Sequence, residues 1–392
     1  MKPQVLLVTT SPLMVNHFLR GHLKALAQNY DINLGVNVSE PYRLRLQGIN
    51  CRVVPIRIER KIAPLRDFVA LVTLLRCMRA GEFALVHSFT PKAGLLAMIA
   101  GWLTRVPLRL HTFQGEVWVT RRGFMRRLLK AADWLTARLT THALVVGEGE
   151  RQFLIREGVL EKNSIVLAKG SIAGIDVECF RPNPAARDQI RTSLKIGENA
   201  TVLLFLGRIA RDKGIMDLAN AFRCTAEKRP DLHLVVAGPD EENLRQEIDF
   251  ATQSVRDRVH FAGLLENPAD WLAAADILCL PSYREGFPVV ILEAAGVGIP
   301  SLGSRIYGVS DAIVDGVTGL LHEPANVPDI SSKLSSLVDD RIARVALGQA
   351  ARARVIKDFD SRQVITALVE FYRQLDPGGR RPSRPRKNSP FE

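Results

Sequence analysis

Short apolar runs with strand character recur along this chain, and helical patterns separate them. In the first half the runs fall at residues 5–9, 32–38, 52–58, 85–87, 108–112 and 143–146. Helical periodicity occupies 16–28, 65–79, 93–103, 123–139 and 150–156. Alternation of this kind predicts a parallel sheet with helices on both faces. The pattern pauses over residues 170–184, rich in Gly and Pro, and restarts with strand-like runs at 202–206, 232–237, 259–261 and 277–280 and helices at 215–228 and 289–295. Two doubly wound α/β domains follow from this, over residues 1–172 and 173–358. Residues 359–376 carry a last helix, and 377–392 form a Pro/Gly/Arg tail that cannot bury a core and is expected to be disordered. Open parallel sheets bind ligands beyond the carboxyl ends of their strands, so a central cleft faced by both domains is the expected site.

The 392 residues exceed what one ordinary core needs, and 47% apolar with 24% charged is the balance of a soluble globular chain. The five cysteines, at 51, 77, 179, 224 and 279, are odd in number and widely spaced, so neither a disulfide framework nor a CxxC signature is present. No apolar stretch approaches the roughly 20 residues of a membrane span, and the N-terminus enters a strand without a signal-peptide pattern, so the expected compartment is the cytoplasm. Charge is unevenly spread. Residues 1–170 carry 25 Lys and Arg against 11 Asp and Glu, a net +14, whereas residues 171–376 are at −6 and the tail at +4. A basic half suits an anionic membrane surface or a phosphorylated ligand. The aromatic residues form no stacking stripe and no zinc-finger or RRM signature occurs, which argues against nucleic acid.

The chemistry-bearing strings lie in the second half. Gly207-Arg208-Ile209-Ala210-Arg211-Asp212-Lys213-Gly214 joins an apolar strand to a helix. Its glycines permit a tight turn, and Arg208 and Lys213 at a strand's carboxyl end suit a diphosphate, although a solvated loop with two surface cations would read the same. Pro281-Ser282-Tyr283-Arg284-Glu285-Gly286-Phe287-Pro288-Val289-Val290-Ile291-Leu292-Glu293-Ala294-Ala295 follows a second buried strand. Gly286 admits close backbone approach, Pro288 suits a first helical turn, and helix N-terminal amides bind phosphate. Glu293, inside an apolar helix, needs a polar partner, and a sugar diol is a good one.

The span from Glu285 to Glu293 resembles the E-x7-E motif of GT-B retaining glycosyltransferases of the glycogen-synthase-like family 4 (glycosyl transferases group 1) type. Gly207-Arg208 through Lys213-Gly214 is similar to that family's G-R-x-x-x-x-K-G segment. Weaker similarities follow in order at Val235–Pro239, Val259–Gly263 and Asp315–Leu321, and the last helix resembles one that returns to the first domain. The resemblance covers nearly all of residues 1–376 and implies a metal-independent hexosyltransferase with the GT-B fold. It implies that Arg208 and Lys213 neutralise a leaving diphosphate, that Glu285 contacts the donor sugar, and that Glu293 holds the ribose. Gly207, Gly286, Phe287, Pro288, Val289 and Val290 would line the donor site with their backbone. The implied donor is a UDP-sugar, with a GDP-sugar as the alternative; no cofactor and no metal is implied.

The first half departs from the pattern. The loop after the first strand has no glycine; Asn16 and His17 face the cleft there, or Asn16 caps a helix and His17 is a surface residue. His87-Ser88-Phe89-Thr90-Pro91-Lys92-Ala93-Gly94 resembles a segment of bacterial surface-polysaccharide transferases within the family. Lys92 opposes the helix dipole, which a nearby anion would resolve; a solvated Lys is the plain alternative. Gln114 stands where many relatives have an active-site His. Gln bonds a hydroxyl but does not titrate, so either a His-dependent step is lacking or His111 or Glu116 replaces the His. Asn16, His17, Lys92 and Gln114 are thus the acceptor-side candidates.

On a helical wheel Phe124, Met125, Leu128, Leu129, Ala132, Leu135 and Leu139 share a face, opposite Arg126, Arg127, Lys130, Asp133 and Arg138, with Trp134 among the cations. The expectation is a buried apolar face and a basic outer face on which Trp134 meets lipid headgroups. The resemblance and the charge together predict sugar transfer from a nucleotide-sugar to a lipid-linked saccharide acceptor in cell-surface polysaccharide biosynthesis, O-antigen or capsule, on the cytoplasmic face of the inner membrane. The competing readings are a non-catalytic glycosyltransferase-like scaffold subunit and a GT-B sugar-nucleotide epimerase. A nicotinamide dehydrogenase is disfavoured because no G-x-G-x-x-G follows a strand. Asp358-Phe359-Asp360 mimics a metal-binding DxD but reads as a solvated helix cap.

Overall fold

The structure, a computed structural model, describes residues 2–39 and 42–378. Most of the basic tail lies outside the described residues. Two parallel sheets organise the chain as two Rossmann-like α/β domains. The first contains β1 (Gln4–Val8), β2 (Asp31–Val36), β3 (Arg52–Pro55), β4 (Phe83–Ser88), β5 (Leu108–Phe113), β6 (His142–Val145) and β7 (Ile165–Val166), in the order β3-β2-β1-β4-β5-β6-β7. The second contains β8 (Thr201–Leu206), β9 (Leu232–Ala237), β10 (Val259–Gly263), β11 (Ile277–Leu280), β12 (Ser301–Ser304) and β13 (Gly319–His322), in the order β10-β9-β8-β11-β12-β13. In both, the strand order reverses beside the first strand, β1 or β8. Strands such as Thr-Val-Leu-Leu-Phe-Leu in β8 are apolar along their whole length because helices cover both faces.

The chain forms two compact units: the chain up to His111 with Leu135–His142 and the chain from Leu368, and Thr112–Trp134 with Ala143–Ala367. Leu6, Val8, Ile56, Leu74 and Ala97 centre the first core; Phe205, Phe222, Leu234 and Ile248 centre the second. The last helix, Ser361–Leu375, begins in the second unit and ends in the first. In the first unit its Tyr372 is fully buried. The Tyr372 hydroxyl and His87 Nδ1 are 2.8 Å apart, and the ring meets Tyr30 edge-on. Burial, then the neighbouring His111 and His22, hold the His87 imidazole well below its ordinary pKa, so it is neutral.

Three local expectations are corrected. The helical run after β1 is broken into Pro12–Met14, a π-helical turn Val15–Leu19 and Arg20–Leu26. Its cap is Ser11, whose side chain accepts from the Leu13 amide; Asn16 lies inside the helix. Pro288 is the cap residue before the helix Val289–Val297, with extended backbone, and not part of its first turn. Asp360 is buried, not solvated: it caps the last helix through the Arg362 amide and pairs with the Arg362 side chain.

The helix Gly123–Leu139 is rotated from its expected pose. Part of its basic side packs on protein: Arg126 and Lys130 each sit 5.5 Å from the Trp118 ring centre, and both pair with Glu157, Lys130 at 2.7 Å, whereas Arg127, Trp134 and Arg138 are exposed. Asp133 and Thr136 are buried, while Phe124, Met125 and Leu128 are 77%, 38% and 47% exposed. Trp118 decides this orientation. Its fully buried indole needs an acceptor, and Asp133 Oδ2 supplies it at 2.8 Å.

Candidate functional site

The site residues of the second unit gather at the carboxyl ends of β8 and β11. After β8 the chain turns through Gly207-Arg208 and a short 3-10 turn, Arg211–Lys213. Gly214 closes it at φ +69°, where a Cβ would collide with the Pro281 carbonyl, so only glycine fits. Ile209, buried, anchors the middle of the loop and donates its amide to Pro239 O. That leaves Arg208 and Lys213 at the strand ends.

Lys213 Nζ lies 2.6 Å from Glu285 Oε1, and Ser282 Oγ donates to the same oxygen at 2.7 Å. Arg208 pairs with Glu241 at 2.7 Å and with Asp212 at 3.5 Å. Arg284 reaches Asp212 at 3.3 Å. The ends of β8 and β11 thus carry three cations and two carboxylates, and Glu241 from the loop after β9 supplies a third, so that each charge is compensated by a neighbour. Asp212, Glu241, Ser282 and Arg284 were not singled out by sequence reasoning. Asp212, Ser282 and Arg284 stand inside the two quoted strings; Glu241 comes from a separate loop after β9, and nothing in its local sequence marks it.

Glu293 stands on the helix Val289–Val297. No hydrogen bond to its carboxyl occurs among the described residues, and desolvation pushes that carboxyl up to about 7. The first amides of this helix, on Val289 and Val290, have no intrahelical acceptor by helix geometry. Phe287 turns inward instead, packing 5.5 Å from Phe359, and contributes only backbone. Gly207 has open space where a side chain would be.

Gln114 belongs to the same unit and lies against this loop. A Cβ on Gly286 would come within 2.4 Å of the Gln114 carbonyl carbon, and one on Gly115 within 2.8 Å of the Gly286 amide. The two turns therefore meet backbone to backbone, and glycine is required on both sides. Neither expected substitute for a histidine at Gln114 is available. His111 is buried in the first unit, 2.9 Å from Ser88 Oγ, with burial lowering it to about 3. Glu116 is buried and accepts from the Tyr307 hydroxyl at 2.8 Å.

The remaining candidates lie in the first unit. Asn16 bridges to the segment after β2, donating to Arg43 O at 2.9 Å and accepting from the Arg45 amide at 2.8 Å. His17 is exposed. Lys92 pairs with Asp67 at 2.9 Å and donates to the Lys61 carbonyl. Asp67 is thus the anion that offsets the helix dipole at the start of Pro91–Leu103. Among the described residues there is no group of three or more His, Cys, Asp or Glu that could hold a metal ion, and no helix is long and apolar enough to cross a membrane.

A doubled Rossmann-like fold with paired cations at the strand ends of its second sheet is that of a GT-B glycosyltransferase. Residues 186–354 match the family Glycosyl transferases group 1, and residues 15–168 match the Glycosyl transferase 4-like domain. The chain is 33% identical to a D-inositol 3-phosphate glycosyltransferase of Pseudarthrobacter chlorophenolicus over 76% of its own length and 72% of the relative's. It is 28% identical to a capsular polysaccharide biosynthesis glycosyltransferase of Staphylococcus aureus, over 93% and 95%. It is 25% identical to the UDP-Gal:alpha-D-GlcNAc-diphosphoundecaprenol alpha-1,3-galactosyltransferase of Escherichia coli, over 88% and 89%. The crystal structure of HepE from Anabaena, in complex with UDP and glucose, superposes with a TM-score of 0.79 at 18% identity, covering 95% of this chain and 100% of that one. The chain belongs to the glycosyl transferases group 1 family, and it is a glycosyltransferase.

Proposed function

We propose that this enzyme transfers a sugar, with retention, from a nucleotide-diphosphate sugar to a lipid-linked saccharide in cell-surface polysaccharide biosynthesis. The observation that carries the reading is the cluster of Arg208, Lys213 and Glu285 at the ends of β8 and β11. As the sugar–phosphate bond breaks, negative charge grows on the leaving diphosphate. Arg208 and Lys213 stabilise that charge where it develops. The diphosphate replaces Glu285 and Glu241 as their partner. Released from Lys213, Glu285 orients the donor sugar, while Glu293 accepts the ribose hydroxyls and the Val289 and Val290 amides bind phosphate oxygens. Gln114, against Gly286, faces the acceptor. The acceptor hydroxyl enters on the face from which the diphosphate leaves, and its proton passes to a departing phosphate oxygen.

The name of the Escherichia coli relative and the UDP in the HepE structure support a UDP-sugar donor, the same name supports a diphosphate-lipid saccharide acceptor, and the name of the Staphylococcus aureus relative supports a role in surface-polysaccharide synthesis. In this reading residues 1–172 serve the acceptor, 173–358 the donor, and 359–376 cross between them. Phe124, Met125 and Leu128, exposed beside Arg121, Arg122 and Arg127, meet an anionic membrane surface, from which the lipid acceptor is drawn. Asn16 and Lys92 act on the acceptor side through the segments they hold, and the exposed His17 acts there directly.

The test is a thermal-shift panel of UDP, GDP, ADP and their common sugar conjugates, without added metal. A ligand at 100 times its Kd stabilises by about 2.7 kcal/mol. A shift confined to one nucleotide, followed by transfer of that nucleotide's sugar to a polyprenyl-diphosphate saccharide with the anomeric configuration kept, is the expected result. Binding without transfer to any acceptor points to a scaffold; release of a free sugar points to an epimerase.

A further inference from the structure

Behind the Gln114-Gly115 turn the second unit buries three carboxyl groups close together. Glu150 is fully buried in the first turn of the helix Glu148–Arg156, Glu116 is 2% exposed, and Asp133 is 7% exposed. The Gly115 amide donates to Glu150 Oε1, and Glu116 accepts from Tyr307 at 2.8 Å. Tyr307 stacks on Phe153 at 4.7 Å, and Phe153 on Trp118 at 5.4 Å; Trp118 in turn donates to Asp133. Glu116 from the turn faces Glu150, and the Gly115 and Val146 amides favour the Glu150 anion. Tyr307, on the helix Tyr307–Ala312, feels both glutamates, Asp133 from the helix Gly123–Leu139 feels Glu116, and Asp311 accepts from the Glu150 amide with Glu148 beside it. Arg284 is the cation that acts on Glu116.

Two full negative charges on Glu116 and Glu150 at this depth are not sustainable. A helix N-terminus stabilises a carboxylate by about 0.3–1 kcal/mol, far less than the several kcal/mol that burying an ion costs. Sharing one proton resolves the conflict, and the surroundings say where it sits. Glu116 has the Tyr307 hydroxyl and Arg284 to stabilise its anion. Glu150 Oε2 is buried and has no conventional donor. Burial, then the charge of Glu116, raise Glu150 well above its ordinary range, and a hydrogen bond between the two carboxyls favours the neutral form of Glu150 and the anion of Glu116.

We infer that Glu150 is a positioning residue: its fully buried carboxyl, beside Glu116, accepts from the Gly115 amide and fixes the Gln114-Gly115 turn against the Gly286 backbone. The inference rests on the acceptor-side reading of Gln114. Glu150 does not touch substrate. It sets where Gln114 stands relative to Glu285, one residue before Gly286. Deprotonating it at alkaline pH opposes two carboxylates and releases the turn.

The test compares Glu150→Gln, which keeps a neutral donor and acceptor, with Glu150→Ala in the full chain. Folding is checked by thermal melting, and Gln114→Ala is assayed in parallel. The expected result has four parts. In Glu150→Ala the peptides spanning 113–117 and 284–288 lose hydrogen-exchange protection. Its kcat falls about 10- to 100-fold while UDP affinity holds. Glu150→Gln restores both properties. The alkaline fall in kcat of the wild type disappears in Glu150→Gln. Unchanged protection in Glu150→Ala overturns the clamp, as does a Glu150→Gln variant as impaired as Glu150→Ala. Lost protection with unchanged transfer overturns the positioning role, and if Gln114→Ala is then also fully active, the fault lies with the acceptor-side reading of Gln114.

Discussion

Lys92 and Lys213 both follow a strand of a parallel sheet, and both form a partly buried ion pair. Lys92 and its partner Asp67 are 17% and 19% exposed; Lys213 and Glu285 are 16% and 13%. Burial and pairing therefore do not separate a joint from a site. Surroundings do. Lys92 joins the starts of two helices, Pro64–Ala80 and Pro91–Leu103, and its remaining bond goes to a main-chain carbonyl. Lys213 stands among Arg208, Asp212, Arg284 and Glu285, contributed by two loops at adjacent strand ends. A ligand carrying two phosphates can replace carboxylates in such a cluster without exposing an uncompensated charge, whereas displacing Asp67 would undo the joint.

Four outcomes bear on this contrast. Lys213→Ala and Arg208→Ala each lower the transfer rate about 100- to 1000-fold, the scale of removing one group that stabilises developing charge, with the fold intact by circular dichroism. Lys92→Ala does the reverse: it lowers stability by about 2 kcal/mol, the scale of a hydrogen bond to a charged group, and leaves nucleotide affinity unchanged in a binding titration. If Lys92→Ala instead abolishes acceptor turnover at full stability, the joint reading fails and Lys92 joins the site.

The third outcome concerns pH. Glu293 is raised from 4.5 to about 7 by desolvation, so the folded state holds a proton that the unfolded state has released between those values. Its contribution to stability is complete below about 4.5 and is lost as pH rises through about 7. Urea melts from pH 5 to 8 show this slope in the wild type and a flatter one in Glu293→Gln. Nucleotide affinity runs the other way, rising toward pH 8 as the carboxylate that accepts the ribose hydroxyls forms; an affinity independent of pH removes Glu293 from the ribose. The smallest effect is at the surface. Replacing Phe124, Met125 and Leu128 together by Ser weakens sedimentation with anionic vesicles about tenfold while leaving turnover of a detergent-dispersed acceptor unchanged. Equal sedimentation of both proteins removes that face from the membrane.

The same contrast explains what could be read from the sequence. The two doubly wound domains were legible because β8, β9 and β11 are short runs of mainly apolar residues, each closed by a glycine or proline, and the Arg208, Lys213 and Glu285 strings sit directly after two of them. Short or polar elements were not. Ile165–Val166 and Ser301–Ser304 carry too little pattern to register as strands, and Pro184–Ser193 and Arg341–Asp358 were missed as helices. The helix Gly123–Leu139 misled because its wheel shows an apolar face, while its buried side is chosen by the need of the Trp118 indole for Asp133, a long-range requirement that no local period encodes. Glu241, Tyr307 and Glu150 share that character: each matters through a partner distant in sequence.

The most direct test of the central claim is calorimetric titration of UDP into the wild type, Arg208→Ala and Lys213→Ala. A diphosphate site at the ends of β8 and β11 predicts saturable binding in the wild type that weakens at least tenfold in each variant. It also predicts that uridine, lacking the phosphates, binds all three proteins alike. UDP binding that is equally tight in all three proteins would place the diphosphate elsewhere and contradict the account.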